Sequence, residues 1–228
     1  MKKLILISAF TLLLTGFTAK AADRIAVVEL FTSQGCSSCP PADAFLGELA
    51  MRSDVLALAY HVDYWDYIGW KDVHAQAAFT QRQRQYAQTF NLRYIYTPQM
   101  VISGSFETTG TARRSIIQAI ETQLSKSHDI QLQSDNKTLT LDGPAQDEAV
   151  GVYQVSYHKE VVTEVRRGEN RGRTLTDYHI VQNLTKIGQW QGGHMTLALD
   201  KDALNKDAGH AVFLQRQDNL HILAALRL

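Results

Sequence analysis

The sequence predicts an α/β unit followed by an all-β one, and three observations carry that reading. Apolar strand-like runs alternate with helical patterns up to about residue 127. The character then changes to short strand-like runs punctuated by turn signals. Between the first strand and the first helix stands Cys36-Ser37-Ser38-Cys39, which holds both cysteines of the 228-residue chain.

The first segment reads as a leader rather than as part of the fold. Lys2 and Lys3 precede the apolar stretch Leu4 to Leu14, and Ala19-Lys20-Ala21 has the small-x-small pattern of a cleavage site. The stretch is too short to span a bilayer. A signal peptide over residues 1–21 is expected, with the mature chain secreted, into the periplasm of a Gram-negative host. No later run is long enough to insert the mature chain into a membrane. Removing Lys2, Lys3 and Lys20 leaves 20 basic against 23 acidic residues. With no basic field, nucleic acid and anionic lipid are not expected partners.

The elements follow in order. Ile25–Phe31 is a buried strand, residues 40–51 a helix, and Val55–His61 a second apolar strand. A glutamine-rich, partly exposed helix is expected over residues 74–90, where Ala77, Ala78, Gln81, Arg84 and Gln85 set its composition. Gln99–Ser103 is a short strand, Gly104 a turn into 105–109, and residues 111–125 a helix with Ile116, Ile117, Ile120 and Leu124 on one stripe. This is the order of a thioredoxin-like unit over residues 22–127. The right-handed crossover rule makes the first two strands parallel neighbours with their C-terminal ends on one sheet edge. Over residues 128–228, runs at 130–133, 139–141, 150–157, 161–165, 178–181, 195–199, 211–215 and 220–226 predict a small antiparallel sandwich or barrel. Asp135-Asn136, Asp142-Gly143-Pro144 and Asp218-Asn219 supply its turns.

Two thiols at the mouth of a strand–turn–helix can open and close one small disulfide ring without moving the fold. Cys36, placed where the helix begins, would have its thiolate stabilised by the unpaired amides of that helix and act as nucleophile. Cys39, one turn inside, would resolve the mixed disulfide. Pro40 and Pro41 pin the helix start at or just beyond Cys39. Thr97-Pro98 precedes a strand, where proline lacks a donor. In thioredoxin-like proteins a cis-proline lies here and presents the preceding backbone to an extended substrate; the other reading is an ordinary trans bond at a strand edge. Glu29 is a carboxylate in an apolar strand, and beneath the cysteines it would have a raised pKa and take a proton from Cys39. Its other readings are an exposed edge residue or a salt bridge to Arg93 or Arg113. His61 to Asp72, with Tyr64, Trp65, Tyr67 and Trp70, leaves the second strand on the same edge. It is either a docking lip or an aromatic plug between the two units. Gly168 to Arg173 is a charged loop that reads first as a solvated hairpin tip, and otherwise as an anion site or a segment lying against the first unit.

Phe31 to Asp43, His61 to Trp70 and Tyr96-Thr97-Pro98-Gln99-Met100 look like a family of secreted bacterial proteins. It is the domain of unknown function 1223, assigned to the thioredoxin-like superfamily, and the resemblance spans nearly the whole mature chain. It differs from thioredoxins proper in Gly35, where those have an aromatic residue, and in the Ser37-Ser38 pair.

Thiol–disulfide exchange is the expected function. Cys36 would attack, Cys39 resolve and Glu29 accept the proton, while Thr97, Pro98, Tyr64 and Trp65 hold a protein or small thiol/disulfide substrate. No organic cofactor and no metal are needed, and a membrane redox partner would supply electrons to a reductase. One rival is a Cu(I) or zinc carrier using Cys36, Cys39 and His61. The other is a binding module with a structural disulfide.

Overall fold

The computed structural model describes residues 24–126, 129–135, 137–200 and 207–228. The expected leader, residues 1–21, lies outside them. The chain begins with β1 (Ala26–Thr32), α1 (Pro40–Ala50) and β2 (Val55–His61). A 3-10 turn at Asp66–Ile68 leads to α2 (Ala77–Thr89), β3 (Gln99–Ile102), β4 (Phe106–Thr109) and α3 (Arg113–Leu124). Then come β5 (Gln131–Ser134), β6 (Thr138–Asp142), β7 (Val150–Glu164), β8 (Thr174–Trp190), β9 (Met195–Ala198), β10 (Gly209–Arg216) and β11 (Ile222–Arg227). Among the described residues no helix is long and apolar enough to cross a membrane.

The expected fold class, an α/β thioredoxin-like domain followed by an all-β sandwich or barrel, is not what the chain forms. It is a mostly β protein with three short helices. One mixed eight-stranded sheet runs β11-β10-β7-β8-β2-β1-β3-β4 and takes strands from both sides of residue 128. β1 and β2 are parallel neighbours from Ala26↔Val55 to Thr32↔His61, as the crossover rule requires. The outer edge of β2 is then covered by β8, in parallel at Ala59↔Ile180. A sheet edge exposes unpaired backbone groups, and here a strand from later in the chain meets that edge at this one pair. The runs at 150–157 and 161–165 are one strand, β7, paired over its length with β8 into a long bent hairpin. β5, β6 and β9 form a separate three-stranded sheet.

Strand alternation assigns the faces. Val28 and Leu30 of β1, with Ala57 and Ala59 of β2, pack on Phe45, Leu46 and Leu49 of α1 and on Ile116 and Ile120 of α3. Val27, Phe31, Leu58 and Tyr60 face the other way, onto Phe79 and Tyr86 of α2 and Phe213 of β10. Glu29 shares this second face. At Gly104, φ is +63°, and a Cβ would stand 1.9 Å from the Leu220 carbonyl oxygen, so only glycine fits there.

Candidate functional site

The cysteine pair lies in the turn from β1 into α1. Cys36 N–H donates to the Ser33 carbonyl at 3.1 Å, and Cys39 N–H to the Cys36 carbonyl at 3.2 Å. Cys39 is the N-cap of α1, and both thiols are free and fully buried. The expected role of the helix amides needs correcting. Pro40 and Pro41 have no N–H, and the first amides available, Ala42 and Asp43, are both bonded to the Cys39 carbonyl. What lowers the Cys36 pKa to about 6 is first a hydrogen bond from the Cys39 thiol, which outweighs burial. The Ser38 and Thr97 hydroxyls and the Ser38 backbone add to it. The Ser38 hydroxyl lies 3.3 Å from Cys36 Sγ. Burial, Cys36 itself and the nearby Asp43 carboxylate push Cys39 well above the usual thiol range. The two sulfurs are therefore unequal, and Cys36 ionises first.

Thr97 and Pro98 close the site from the start of β3, and the Thr97–Pro98 bond is cis. Trp65 Nε1 donates to Thr97 Oγ1 at 2.7 Å, which leaves the Thr97 hydroxyl proton free for the Cys36 sulfur. Tyr64 sits against Trp65, ring centroids 6.4 Å apart, and is close enough to feel the charge of both cysteines. The structure thus gathers Cys36, Cys39, Thr97, Pro98, Tyr64 and Trp65.

It does not gather Glu29. Glu29 is fully buried on the sheet face opposite α1. Its carboxylate accepts Nε of Arg82 at 2.7 Å and the Tyr86 hydroxyl. The position expected of a proton acceptor beneath the cysteines is filled instead by Asp43, in the first turn of α1. Burial and the Asp177 charge raise its carboxyl to about 8, and the Cys36 charge acts in the same sense. Sequence reasoning missed this residue, although its spacing was visible: Asp43 stands four residues after Cys39, one helical turn on.

A second buried cluster adjoins the first. His61 Nδ1 is 2.7 Å from Asp72 Oδ2. Burial opposes the imidazolium charge, but the Asp72 carboxylate, with Asp177 and Asp43 beyond, holds the pKa up at about 9. Gln34 ties the cluster to the cysteine loop. Its N–H donates to Asp72, and its Nε2 to Asp177 at 2.8 Å and to Thr163 at 3.1 Å. Of the readings of the Gly168–Arg173 tip, the contacts agree with the one that lays it against the first half rather than with a solvated tip: Asn170 is fully buried and bonds the cysteine loop. Among the described residues no three His, Cys, Asp or Glu side chains are grouped to hold a metal ion. His61, the third ligand of the metal-carrier rival, is bound to Asp72 through Nδ1, and its buried Nε2 has no hydrogen-bond partner among the described residues.

A pH dependence of stability follows. A histidine whose folded pKa exceeds the unfolded value stabilises fully below about 6.5, and the contribution is lost as pH rises through about 9. Asp43 works in the same direction, because its ionisation is disfavoured in the folded state up to about pH 8. The urea midpoint of the Cys36→Ser/Cys39→Ser protein, free of thiol titration, is expected to fall between pH 7 and pH 10. A flat or rising midpoint would contradict the buried His61 charge.

These features define a mostly β protein with a buried, electronically unequal Cys-x-x-Cys pair at a helix start. The chain belongs to the family described as protein of unknown function (DUF1223), whose model matches residues 27–215. It is similar to a protein of Agrobacterium tumefaciens known from an X-ray crystal structure. The two are 30% identical with a TM-score of 0.76, over 91% of this chain and 96% of that one. It also resembles HBP35 of Porphyromonas gingivalis at 14% identity and a TM-score of 0.54, over 90% of this chain and 75% of that one, a likeness of fold. No functionally curated protein matches the chain.

Proposed function

We propose that this protein carries out thiol–disulfide exchange at Cys36 and Cys39. The observation that carries the reading is the inequality of the two thiols: Cys36 is lowered to about 6, Cys39 is raised, and a hydroxyl from the Thr97–Pro98 turn lies against the first. At neutral pH a thiol with that pKa is roughly nine-tenths thiolate, against a few per cent for an ordinary cysteine. The Cys36 thiolate attacks a substrate disulfide, forms a bond to one sulfur and expels the other as a thiolate. Cys39 then loses its proton to the Asp43 carboxylate and attacks Cys36. That releases the second substrate thiolate and closes the Cys36–Cys39 bond. The substrate gains two electrons and the protein loses two. Run in reverse, the same steps oxidise a dithiol.

Glu29 is given no part in this scheme, because its carboxylate is committed to Arg82 and Tyr86 on the other sheet face. The chemistry needs no organic cofactor. A thiol or disulfide on a protein or a small molecule is the substrate, and a membrane-bound dithiol partner is the fitting electron source for a reductase. Secretion suits this role, because an oxidising compartment is where disulfides form and persist. The leader over residues 1–21 is the basis for proposing it.

The rate of Cys36 alkylation by iodoacetamide is expected to titrate with an apparent pKa near 6. In Cys39→Ala that value should move upward, because the thiol donating to Cys36 is gone. An apparent pKa near 8.5 in the wild type would sink the nucleophile assignment. Equilibration with glutathione should give a reduction potential between about −120 and −270 mV. A value below about −300 mV, with no mixed disulfide trapped by Cys39→Ala, would favour a structural bridge instead.

A further inference from the structure

The exchange chemistry makes no use of the tip of the β7–β8 hairpin, yet that tip is built onto the loop carrying Cys36. Residues 165–173 join the two strands. Asn170, wholly buried, donates from Nδ2 to the carbonyl oxygens of both Gln34 and Cys36, each at 3.0 Å. Its Oδ1 accepts from Nη1 of Arg173 at 3.2 Å. The Glu169 carboxylate accepts the Ser37 N–H at 3.1 Å. Gly168 lies against Trp70, where a Cβ would stand 3.0 Å from the Trp70 Cβ. Lower down, Gln34 Nε2 binds Thr163 on β7 and Asp177 on β8, and Trp70 Nε1 donates to Gln34 Oε1.

Two facts stand against each other here. Cys36 is the reactive sulfur, and none of it is exposed, although Ser37 and Ser38 beside it are. A thiolate cannot attack a disulfide that never reaches it, so part of the surround must move. The tip is held to the cysteine loop chiefly by polar bonds. Arg166, Arg167, Arg171, Gly172 and Arg173 around Asn170 are all exposed. Contacts of this kind open locally at lower cost than a packed apolar core.

We propose that the β7–β8 hairpin tip is a removable cover over the cysteine site, latched by Asn170 and Glu169, which admits small thiols and disulfides in preference to those on folded proteins. A small disulfide needs only a brief, partial lifting of the tip. A disulfide fixed on a folded surface needs the whole tip displaced, with every latch bond broken at once. The proposal rests on the reading of Cys36 as the nucleophile.

The test compares two reagents with the same reactive group, N-ethylmaleimide and a maleimide carried on a long polyethylene glycol chain. Both are reacted with the reduced full-length mature protein, and modification of Cys36 is followed by mass spectrometry. The wild type should strongly favour the small reagent. Asn170→Ala should speed both reactions and shrink the preference about tenfold, the loss of two hydrogen bonds to buried carbonyls. Glu169→Ala, a change at an exposed side chain that removes the acceptor of the Ser37 N–H, should act in the same direction by a smaller factor. An unchanged preference in both variants, with cooperative unfolding retained, overturns the cover. If Asn170→Ala does not fold, Glu169→Ala decides alone. The reduction potential and exchange rate of the same proteins are measured separately. Size-selective alkylation in a protein that exchanges no disulfides would leave the cover standing and overturn the redox reading alone.

Discussion

Replacing Arg82 by leucine is expected to lower the unfolding free energy by about 3–5 kcal/mol, because it strands a buried carboxylate. Arg82 Nε donates to Glu29 at 2.7 Å, Nη1 to Gln215 at 3.1 Å and Nη2 to the Tyr86 hydroxyl at 3.2 Å. Its guanidinium lies between the rings of Tyr60, Tyr86 and Phe213, 5.2 to 5.7 Å from their centroids. The group clamps α2, β1 and β10 together, so one truncation loosens elements from both halves of the sequence. Urea denaturation measures the loss, and a cost below about 1 kcal/mol would show that the pair is solvated or redundant. Glu29→Leu combined with Arg82→Leu should recover much of it, since removing both charges leaves no unpaired ion. The same experiment separates a structural Glu29 from a catalytic one. Glu29→Gln should lower stability and leave the pH profile of Cys36 alkylation where it was.

Asp43→Asn is expected to slow resolution of a Cys36 mixed disulfide by roughly a hundredfold, the size of effect that loss of a placed general base produces. At neutral pH the Asp43 carboxyl is mostly protonated, because its pKa is raised to about 8. In the wild type the resolving rate should therefore climb with pH and level off above about 8. In Asp43→Asn that limb should vanish, and the rate should follow the higher pKa of the Cys39 thiol itself. Release of a chromophoric thiol from the mixed disulfide reads this step directly. The initial attack by Cys36 should change little. If both proteins share one pH profile for resolution, Asp43 is not the proton acceptor. A cavity of about 580 Å³ between α1 and β8 is lined by Asp43 and Asp177, which gives the carboxyl a route to exchange its proton with solvent.

Much of the secondary structure was legible from local pattern. The helices expected at 40–51, 74–90 and 111–125 form at Pro40–Ala50, Ala77–Thr89 and Arg113–Leu124. The first two strands pair in parallel, as a short helical crossover forces them to. The fold class is not legible in the sequence because pairing across a sheet edge leaves no periodic signal in either strand. Val55–His61 reads as an apolar strand whether or not Ile180 lies beside Ala59. Likewise β7 read as two strands, because its far end alternates between half-buried and exposed residues where the hairpin leaves the core.

At the site the division is similar. The Cys36–Cys39 spacing, the Thr97–Pro98 turn and the aromatic run after β2 were visible because each is a short contiguous motif. Which carboxylate attends the cysteines was not. Glu29 drew attention as a charge in an apolar strand, and the strand's alternation turned it to the face where Arg82 waited. Asp43 looked like an ordinary first-turn helix acid, and only the packing of α1 beneath Asp177 makes it a buried, protonated one.

By itself the sequence determined the strands and helices of the first half, the place of the cysteine pair at a helix start, and membership of a family recognisable by three motifs. The tertiary structure alone decided that both halves share one sheet, that Asp43 rather than Glu29 adjoins the thiols, and that Asn170 bonds the backbone of the cysteine loop. Local elements follow from neighbouring residues, whose spacing the chain records. The electrostatics of a buried site follow from groups more than a hundred residues apart, such as Asn170 and Cys36, which only packing brings together.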